Sequence, residues 1–302
     1  MTDATAPVPF TDWTPEAVFG LDPPGAARRV DPLRAALAAA GLEAAVAAAS
    51  ILVSGADVSG VETKISATDM VSDVDRACEA AVAGVLSARR PEDGMLGEEG
   101  TDQPGTTGVR WVVDPLDGTT NFLFGIPQFA VSIAAEIDRR PVAGIVIDPN
   151  RHELWAAVAG HGSFVNGRRL TVPDGRSSLD RALCATGFGY RAERRRWQAA
   201  VAAEVIPHVR DIRRLGSAAL DLCWTGGGRY DAYFEWGLNP WDFSAGALVA
   251  AEAGATVRVV GQHLVVAAAP SLFEPLCRLL EAAGGYDAPP GPEPAERVQW
   301  GS

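Results

Sequence analysis

The feature that most constrains this chain is an apolar run followed at once by a turn that carries two carboxylates. Residues 111–113 are Trp-Val-Val, and this pattern predicts a buried strand that ends at Pro115. Pro115 and Gly118 are turn formers, so we expect the chain to reverse direction between them. The sequence therefore predicts a turn attached to a core strand.

The carboxylates of this turn belong to Asp114 and Asp117. If the turn brings them together, with the Leu116 carbonyl free between them, their oxygens suit a hard divalent cation such as Mg²⁺. Asp-Pro and Asp-Gly pairs are also common in loops that bind nothing. The turn alone does not decide between these two interpretations.

Gly118, Thr119 and Thr120 follow the carboxylates. Backbone N–H groups beside a glycine allow a phosphate to approach closely, and the start of a helix near Thr120 would favour its negative charge. A metal site next to an anion site predicts phosphoryl chemistry.

Two further motifs lie upstream and downstream of this turn. The upstream motif, residues 95–100, contains Glu98 and Glu99, which could also be solvated loop residues. The downstream motif, residues 241–246, contains Asp242, which we expect to begin an Ala-rich helix that runs to Ala253. A helix-capping function alone would account for Asp242 as well.

Taken in order, these motifs resemble the inositol monophosphatase family of Mg²⁺-dependent, Li⁺-sensitive phosphomonoesterases. The matching residues are Glu98 in G-E-E, residues 114–119 in D-P-L-D-G-T, and Asp242 in W-D-F-S-A-G. The resemblance covers about residues 30 to 285, and its flanking matches are Lys64, residues 69–75, residues 162–167 and residues 216–219.

The resemblance implies a site of about two to three Mg²⁺ ions. Its implied metal ligands are Glu98, Asp114, the Leu116 carbonyl, Asp117 and Asp242. Its implied catalytic residues are Glu98 and Thr119, which position and activate water, with Asp75 near Thr119. Its implied substrate-binding residues are Asp117, Gly118, Thr119, Gly216, Ser217, Ala218 and Glu235.

Two of the matching residues have competing interpretations. Asp75 also fits a capping box with Ser72 at the start of a helix. Lys64 could balance the charge of the carboxylates or lie on the surface.

The implied reaction is hydrolysis of a small phosphate monoester by metal-activated water. The expected substrate is myo-inositol 1-phosphate or a related polyol phosphate. Histidinol phosphate is the first alternative, because Glu235 could bind its ammonium group. Fructose 1,6-bisphosphate and 3′-phosphoadenosine 5′-phosphate come after it. The resemblance also implies a homodimer, and leaves open an interaction protein with dispensable catalysis, because some bacterial members are thought to bind transcription or ribosome-maturation machinery.

Composition is that of a globular protein. The 302 residues are 47% hydrophobic and carry a net charge of −12, which disfavours a nucleic-acid-binding surface. The four cysteines form no C-x-x-C pair and the four histidines no ligand set, so we expect buried thiols and no zinc. Residues 191–196 are the only basic run; a solvated helix start is favoured there over contact with a polyanion.

No signal peptide and no membrane-spanning segment are expected, which predicts a cytoplasmic protein without a membrane partner. The Ala-rich stretch from Leu33 to Val53 contains Arg34 and Glu43, and it is better explained as a helix of the protein core.

Helices are predicted from Asp31 to about Gly55 and from Ser72 to about Arg90. A meander of antiparallel strands is then predicted, and helices and strands alternate after it. The strands of the meander are 129–137, 141–147, 153–158 and 169–172.

This order fits an α+β fold, which the resemblance makes a layered αβαβα sandwich of the sugar-phosphatase superfamily. The predicted domain organisation has two halves between flexible ends. Residues 1–29 form an N-terminal arm and residues 286–302 a tail. Residues 30–175 carry most metal ligands, and residues 176–285 carry Asp242 and the pocket for the alcohol part of the substrate.

Overall fold

The structure is a computed structural model that describes residues 13–19, 30–54, 61–63, 70–173, 178–260 and 264–287. Lys64 and Asp69 lie outside the described residues, as do most of the predicted arm and residues 288–302 of the predicted tail. The described α-helices are α1 (Pro15–Phe19), α2 (Pro32–Val53), α3 (Asp73–Arg89), α4 (Thr119–Leu123), α5 (Ala192–Val205), α6 (Ala218–Gly226), α7 (Pro240–Glu252) and α8 (Pro270–Ala282).

Strands β1 (Val61–Thr63) and β2 (Met70–Ser72) form a separate antiparallel pair. An eight-stranded sheet has the order β10-β9-β8-β7-β6-β5-β3-β4. Its strands are β3 (Gly94–Gly97), β4 (Asp102–Gln103), β5 (Val109–Asp117), β6 (Ala130–Ile137), β7 (Arg140–Asp148), β8 (Glu153–Val158), β9 (Gly162–Val165) and β10 (Arg168–Arg169).

A five-stranded sheet has the order β12-β11-β13-β15-β14. Its strands are β11 (Leu183–Thr186), β12 (Asp211–Arg213), β13 (Ala232–Trp236), β14 (Thr256–Val260) and β15 (Leu264–Ala268), and short 3₁₀ helices cover Leu179–Arg181 and Ile206–His208.

These elements stack in five layers, which confirms the predicted αβαβα sandwich. Helices α2 and α3 cover one face of the eight-stranded sheet. Helices α6 and α7 lie between the two sheets, and α5 and α8 pack on the outer face of the five-stranded sheet. All four cysteines are buried and free, as predicted.

Helix α2 starts where the sequence predicts. The Asp31 carboxylate accepts hydrogen bonds from the N–H groups of Leu33 and Arg34, and Pro32 occupies the first turn. Among the described helices, α2 is the one that is long and apolar enough to cross a membrane. However, 56% of its apolar 18-residue segment is buried inside the protein. Packing against α3 and the sheet accounts for its apolar character.

The N-terminal region contributes to the core. Val18 and Phe19 of α1 are buried beside α2 and the eight-stranded sheet, and Trp13 packs against the same cluster. The flexibility of residues 1–29 as a whole stays a prediction.

The strand that opens the central motif does not end at Pro115, and this prediction was wrong. Strand β5 continues to Asp117, with a register shift against β6 between Asp114 and Asp117. On its other side, β5 pairs with β3 only as far as Val113. Pro115, which has no backbone N–H, therefore lies where β5 has no hydrogen bond to donate to β3. The predicted turn is therefore a bulge within a strand.

The end of the meander also differs from its prediction. Residues 169–172 are not a strand beyond Arg169; the last long strand is instead β9, which begins at Gly162. Asn166 and Gly167 both have positive φ and form the tight turn between β9 and β10. An Asn-Gly pair favours such a hairpin and is a local signal for the turn between β9 and β10.

Candidate active site

An acidic group forms where three distant segments meet. Glu98 follows β3, Asp114 lies at the bulge of β5, and Asp242 lies in the first turn of α7. One carboxylate oxygen from each lies within 4.8 Å of the others. Burial, and next the charge of Glu98, raise the pKa of Asp114 and the pKa of Asp242 well above the ordinary range. A cation would offset this repulsion.

Hydrogen bonds within the bulge hold the Asp114 carboxylate and the Leu116 carbonyl in place. The Leu116 N–H donates to Asp114 Oδ1 at 3.0 Å, and the Thr119 hydroxyl donates to the Leu116 carbonyl at 3.0 Å. The Leu116 carbonyl is thus not free of contacts, in contrast to the prediction. A carbonyl oxygen has two lone pairs, so one remains for a cation.

Asp117 connects this bulge to the start of α6. Its Oδ2 accepts from the Ser217 hydroxyl at 2.6 Å and from the Ala219 N–H at 2.8 Å, and the Ala218 N–H is also a donor. Burial raises the pKa of Asp117 to about 6, and these hydrogen bonds oppose the shift. Ser217, a predicted substrate contact, is buried with its hydroxyl bonded to Asp117.

Helix α7 begins at Pro240, two residues before the predicted start at Asp242. Asn239 is its N-cap, and Asp242 Oδ2 accepts the Asn239 N–H at 2.6 Å in a capping box. This bond uses one carboxylate oxygen and leaves the other for the acidic group. The Ser132 hydroxyl donates to the Trp241 carbonyl at 3.1 Å, which fixes this turn to β6.

Gly118 has a φ of +97°, and a Cβ at this position would lie 2.9 Å from the Gln128 carbonyl oxygen. A side chain would therefore be both strained and obstructed. Asn121, which the sequence analysis missed, donates from Nδ2 to the carbonyls of Gln128 and Leu215, both at 2.7 Å. It holds the Gly118 turn beside Gly216.

Glu79 is a second residue that the sequence analysis missed. This buried carboxylate of α3 accepts the Glu99 N–H at 2.8 Å and the Thr101 hydroxyl at 2.6 Å. A Cβ at Gly97 would collide with it. Glu79 therefore holds the segment that carries Glu98. Its spacing of four residues from Asp75, on the same helix face, was the available signal.

The acidic group opens into a cavity of about 430 Å³. Thr119, Gly118, Gly216, Ala218 and Glu235 line it, together with the arginines Arg191, Arg194 and Arg214. Burial raises the pKa of Glu235 to about 7, against the opposing effects of the Tyr233 hydroxyl and Arg214.

Asp75 is buried, and its charge contributes to the raised pKa of Asp114. It lies behind the cavity and not in its lining.

Comparison with known proteins identifies the family. The model of the inositol monophosphatase family matches residues 33–285. The chain belongs to this family. An inositol-1-monophosphatase of Mycobacterium bovis is 43% identical over 251 residues, covering 78% of this chain and 87% of that protein. As a member of the inositol monophosphatase family, the chain is a phosphomonoesterase.

Two further relatives match most of the chain. A Nus factor SuhB of Pseudomonas aeruginosa is 42% identical over 214 residues, covering 68% of this chain and 78% of that protein. The crystal structure of the extragenic suppressor protein SuhB of Bartonella henselae superposes with a TM-score of 0.75 at 36% identity. The superposition covers 80% of this chain and 97% of the Bartonella henselae chain, which confirms the fold.

Proposed function

We propose that the protein hydrolyses small phosphate monoesters in the presence of Mg²⁺, with myo-inositol 1-phosphate or a related polyol phosphate as substrate. The observation that carries this proposal is the acidic group of Glu98, Asp114 and Asp242 beside the Gly118 turn. The name of the Mycobacterium bovis relative supports inositol 1-phosphate.

The donor set fits Mg²⁺ because the available ligand atoms are carboxylate and carbonyl oxygens, which hard cations prefer. Glu98, Asp114, the Leu116 carbonyl, Asp117 and Asp242 would hold about two to three ions. When bound, Mg²⁺ neutralises phosphate charge and lowers the pKa of water.

The chain's own groups then position the reactants. We assign Glu98 as the carboxylate that accepts a proton from the attacking water, and Thr119 as the hydroxyl that orients this water. Because the Thr119 hydroxyl donates its proton to the Leu116 carbonyl, its oxygen can act towards water only as an acceptor. Asp75 supports this region from behind. The N–H groups of Gly118 and Thr119 would bind phosphate oxygens.

The alcohol part of the substrate would lie against Gly216, Ala218 and Glu235, which line the cavity. Glu235 would accept hydrogen bonds from polyol hydroxyls. It would equally pair with an ammonium group, which keeps histidinol phosphate as the first alternative, followed by fructose 1,6-bisphosphate and 3′-phosphoadenosine 5′-phosphate.

Phosphate release from these four substrates, with Mg²⁺ and with EDTA, tests the proposal. We expect one substrate to be preferred by orders of magnitude, with EDTA abolishing turnover and millimolar Li⁺ inhibiting it. Folded protein that releases phosphate from none of them, or that works fully in EDTA, would contradict the proposal.

A second candidate function is suggested by the Pseudomonas aeruginosa relative, which is named a Nus factor. In this alternative the chain acts through a protein partner in the cytoplasm, and catalysis is dispensable. The two functions separate in one variant. If folded Asp114→Asn lacks turnover but rescues a deletion phenotype fully, the interaction is the physiological function; loss of rescue favours catalysis.

A further inference from the structure

The loop between β11 and α5 forms a wall of the cavity that the proposed reaction does not use. Phe188, Gly189 and Tyr190 of this loop line the cavity together with the acidic group and the Gly118 turn. Of these three loop residues, Tyr190 is the one whose side chain can form hydrogen bonds. Its hydroxyl therefore needs an explanation.

Two side chains of α5 hold the loop on both sides of Tyr190. Gln198 is fully buried, and its Oε1 accepts the Gly189 N–H at 2.9 Å. Arg195 donates from Nη1 to the Tyr190 carbonyl at 2.6 Å. These bonds fix the backbone before and after Tyr190, so its side chain starts from a defined position at the cavity.

The loop is also packed closely between β13 and α5. A Cβ at Gly187 would collide with the Glu235 carboxylate of β13, and a Cβ at Gly189 would lie 2.8 Å from Arg194 Cδ of α5. Glycine at these two positions lets the backbone lie directly against both side chains. The loop therefore has little room to move toward either neighbour.

The Tyr190 side chain reaches from this loop to α4, the helix that follows the Gly118 turn. Its hydroxyl forms a hydrogen bond with the side chain of Thr120. This bond by itself lowers the pKa of Tyr190, which is the effect of Thr120 donating to the phenol oxygen. The phenol proton then remains available for another acceptor.

The hydroxyl lies near the place where the ester would bind. The carboxylates of Glu98, Asp242 and Asp117 are close enough for their charges to act on it. Burial first, and then these charges, raise the pKa of Tyr190 to about 12. Tyr190 therefore keeps its proton at neutral pH, and as a neutral donor it adds no charge that would repel Mg²⁺ at the acidic group.

We propose that the Tyr190 hydroxyl donates a hydrogen bond to a phosphate oxygen of the bound ester, so that Tyr190 is a further substrate-binding residue. This rests on the proposed function, which places the phosphate at the acidic group and the Gly118 turn. Thr120 orients the hydroxyl by donating to its oxygen. Because the phosphate is common to all the candidate substrates, Tyr190 contributes to the affinity for each of them.

Inorganic phosphate tests this contact without requiring turnover. Its dissociation constant is measured by calorimetry at saturating Mg²⁺ for the wild type and for Tyr190→Phe, which keeps the ring and removes only the hydroxyl. We expect Tyr190→Phe to weaken phosphate binding by about 10- to 100-fold, because the lost bond is to a charged group. KM should rise by a similar factor for every substrate that the wild type hydrolyses.

Three variants separate this contact from a structural effect. Thr120→Val removes the bond between the two hydroxyls but leaves the phenol proton, so it should weaken phosphate binding several-fold less than Tyr190→Phe. Thr120→Ser keeps a hydroxyl and should match the wild type. Tyr286→Phe is the matched control, since it removes the same atom from a tyrosine outside the cavity and should leave phosphate binding unchanged.

Wild-type phosphate affinity in Tyr190→Phe would overturn the contact, as would a wild type that binds no phosphate. An equal loss in Thr120→Val would also overturn it, because the bond between the hydroxyls and not the donated proton would then be responsible. A rise in KM for one substrate alone would place the hydroxyl against the alcohol part instead. Failure of the proposed function has a different result, namely no phosphate release from any substrate, whatever the dissociation constants for phosphate.

Discussion

Glu79 shows how one buried carboxylate fixes the position of another. It makes no contribution to the cavity lining, yet it accepts hydrogen bonds from the segment that carries Glu98. Partners behind a metal ligand typically change metal affinity by about 10- to 100-fold when removed.

We therefore expect Glu79→Gln to weaken Mg²⁺ affinity by about 10- to 100-fold, because its amide presents N–H groups to N–H donors. Gly97→Ala should give the same defect by displacing Glu79. Calorimetric titration with Mg²⁺ and the Mg²⁺ dependence of phosphate release measure the change.

The control is Gly84→Ala on the same helix, where a Cβ meets nothing within 4 Å. It should leave Mg²⁺ affinity unchanged and raise the free energy of unfolding by up to about 1 kcal/mol. Wild-type Mg²⁺ affinity in both Glu79→Gln and Gly97→Ala would show that Glu98 is positioned by other contacts.

Glu235 separates the substrate alternatives. A Gln side chain keeps a carbonyl oxygen that accepts hydrogen bonds from polyol hydroxyls, but it carries no negative charge to pair with an ammonium group. Glu235→Gln should therefore raise KM more for histidinol phosphate than for inositol 1-phosphate, with little change in kcat. If the variant and the wild type have equal KM values for both substrates, Glu235 does not contact the substrate.

At the scale of elements, the middle layer depends on close contact between α6 and α7. A Cβ at Gly246 would lie 2.7 Å from the Ala219 carbonyl oxygen, and a Cβ at Gly226 would lie 2.9 Å from the Ala250 Cα. Helix α6 provides the N–H donors for Asp117 and helix α7 carries Asp242. The spacing of these two helices therefore sets the position of both carboxylates.

Gly246→Val should push the helices apart and lower the free energy of unfolding by about 1–3 kcal/mol, with a loss of activity. Urea denaturation and phosphate release measure the two effects. Gly84→Val, the same change at an open helix position, should leave the free energy of unfolding unchanged or raise it by less than about 1 kcal/mol. A Gly246→Val midpoint equal to that of wild type would refute the close contact.

The elements also show what the sequence can reveal. The local pattern around Asp114 and Asp117 predicts oxygen ligands, whereas Asp242 as a ligand and the five layers follow from the resemblance to the family. The order of helices and strands by itself predicts an α+β fold. The bulge of β5 depends on its pairing with β6, so Pro115 was misread as the end of a strand. Asn121 and Glu79 were missed because their partners lie up to 95 and 22 residues away, respectively.

At the scale of the whole molecule, we predict a homodimer. Phe124 and Ile126 expose 68% and 48% of their surface in the loop after α4, and association would remove such apolar area from water. Light scattering should give twice the chain mass of 31.6 kDa. A monomer mass at micromolar concentration would contradict this prediction.

Glu98 follows β3, Asp114 lies in β5 of the eight-stranded sheet, and Asp242 lies in α7 between the two sheets, so the metal ligands come together only in the folded chain. Mg²⁺ at about 100 times its dissociation constant should therefore add about 2.7 kcal/mol to the free energy of unfolding. We expect a rise in Tm by calorimetry that EDTA reverses; an equal rise in Asp114→Asn would assign it to another site. Magnesium supply would then govern the lifetime of each molecule against cellular proteases as well as its rate of turnover.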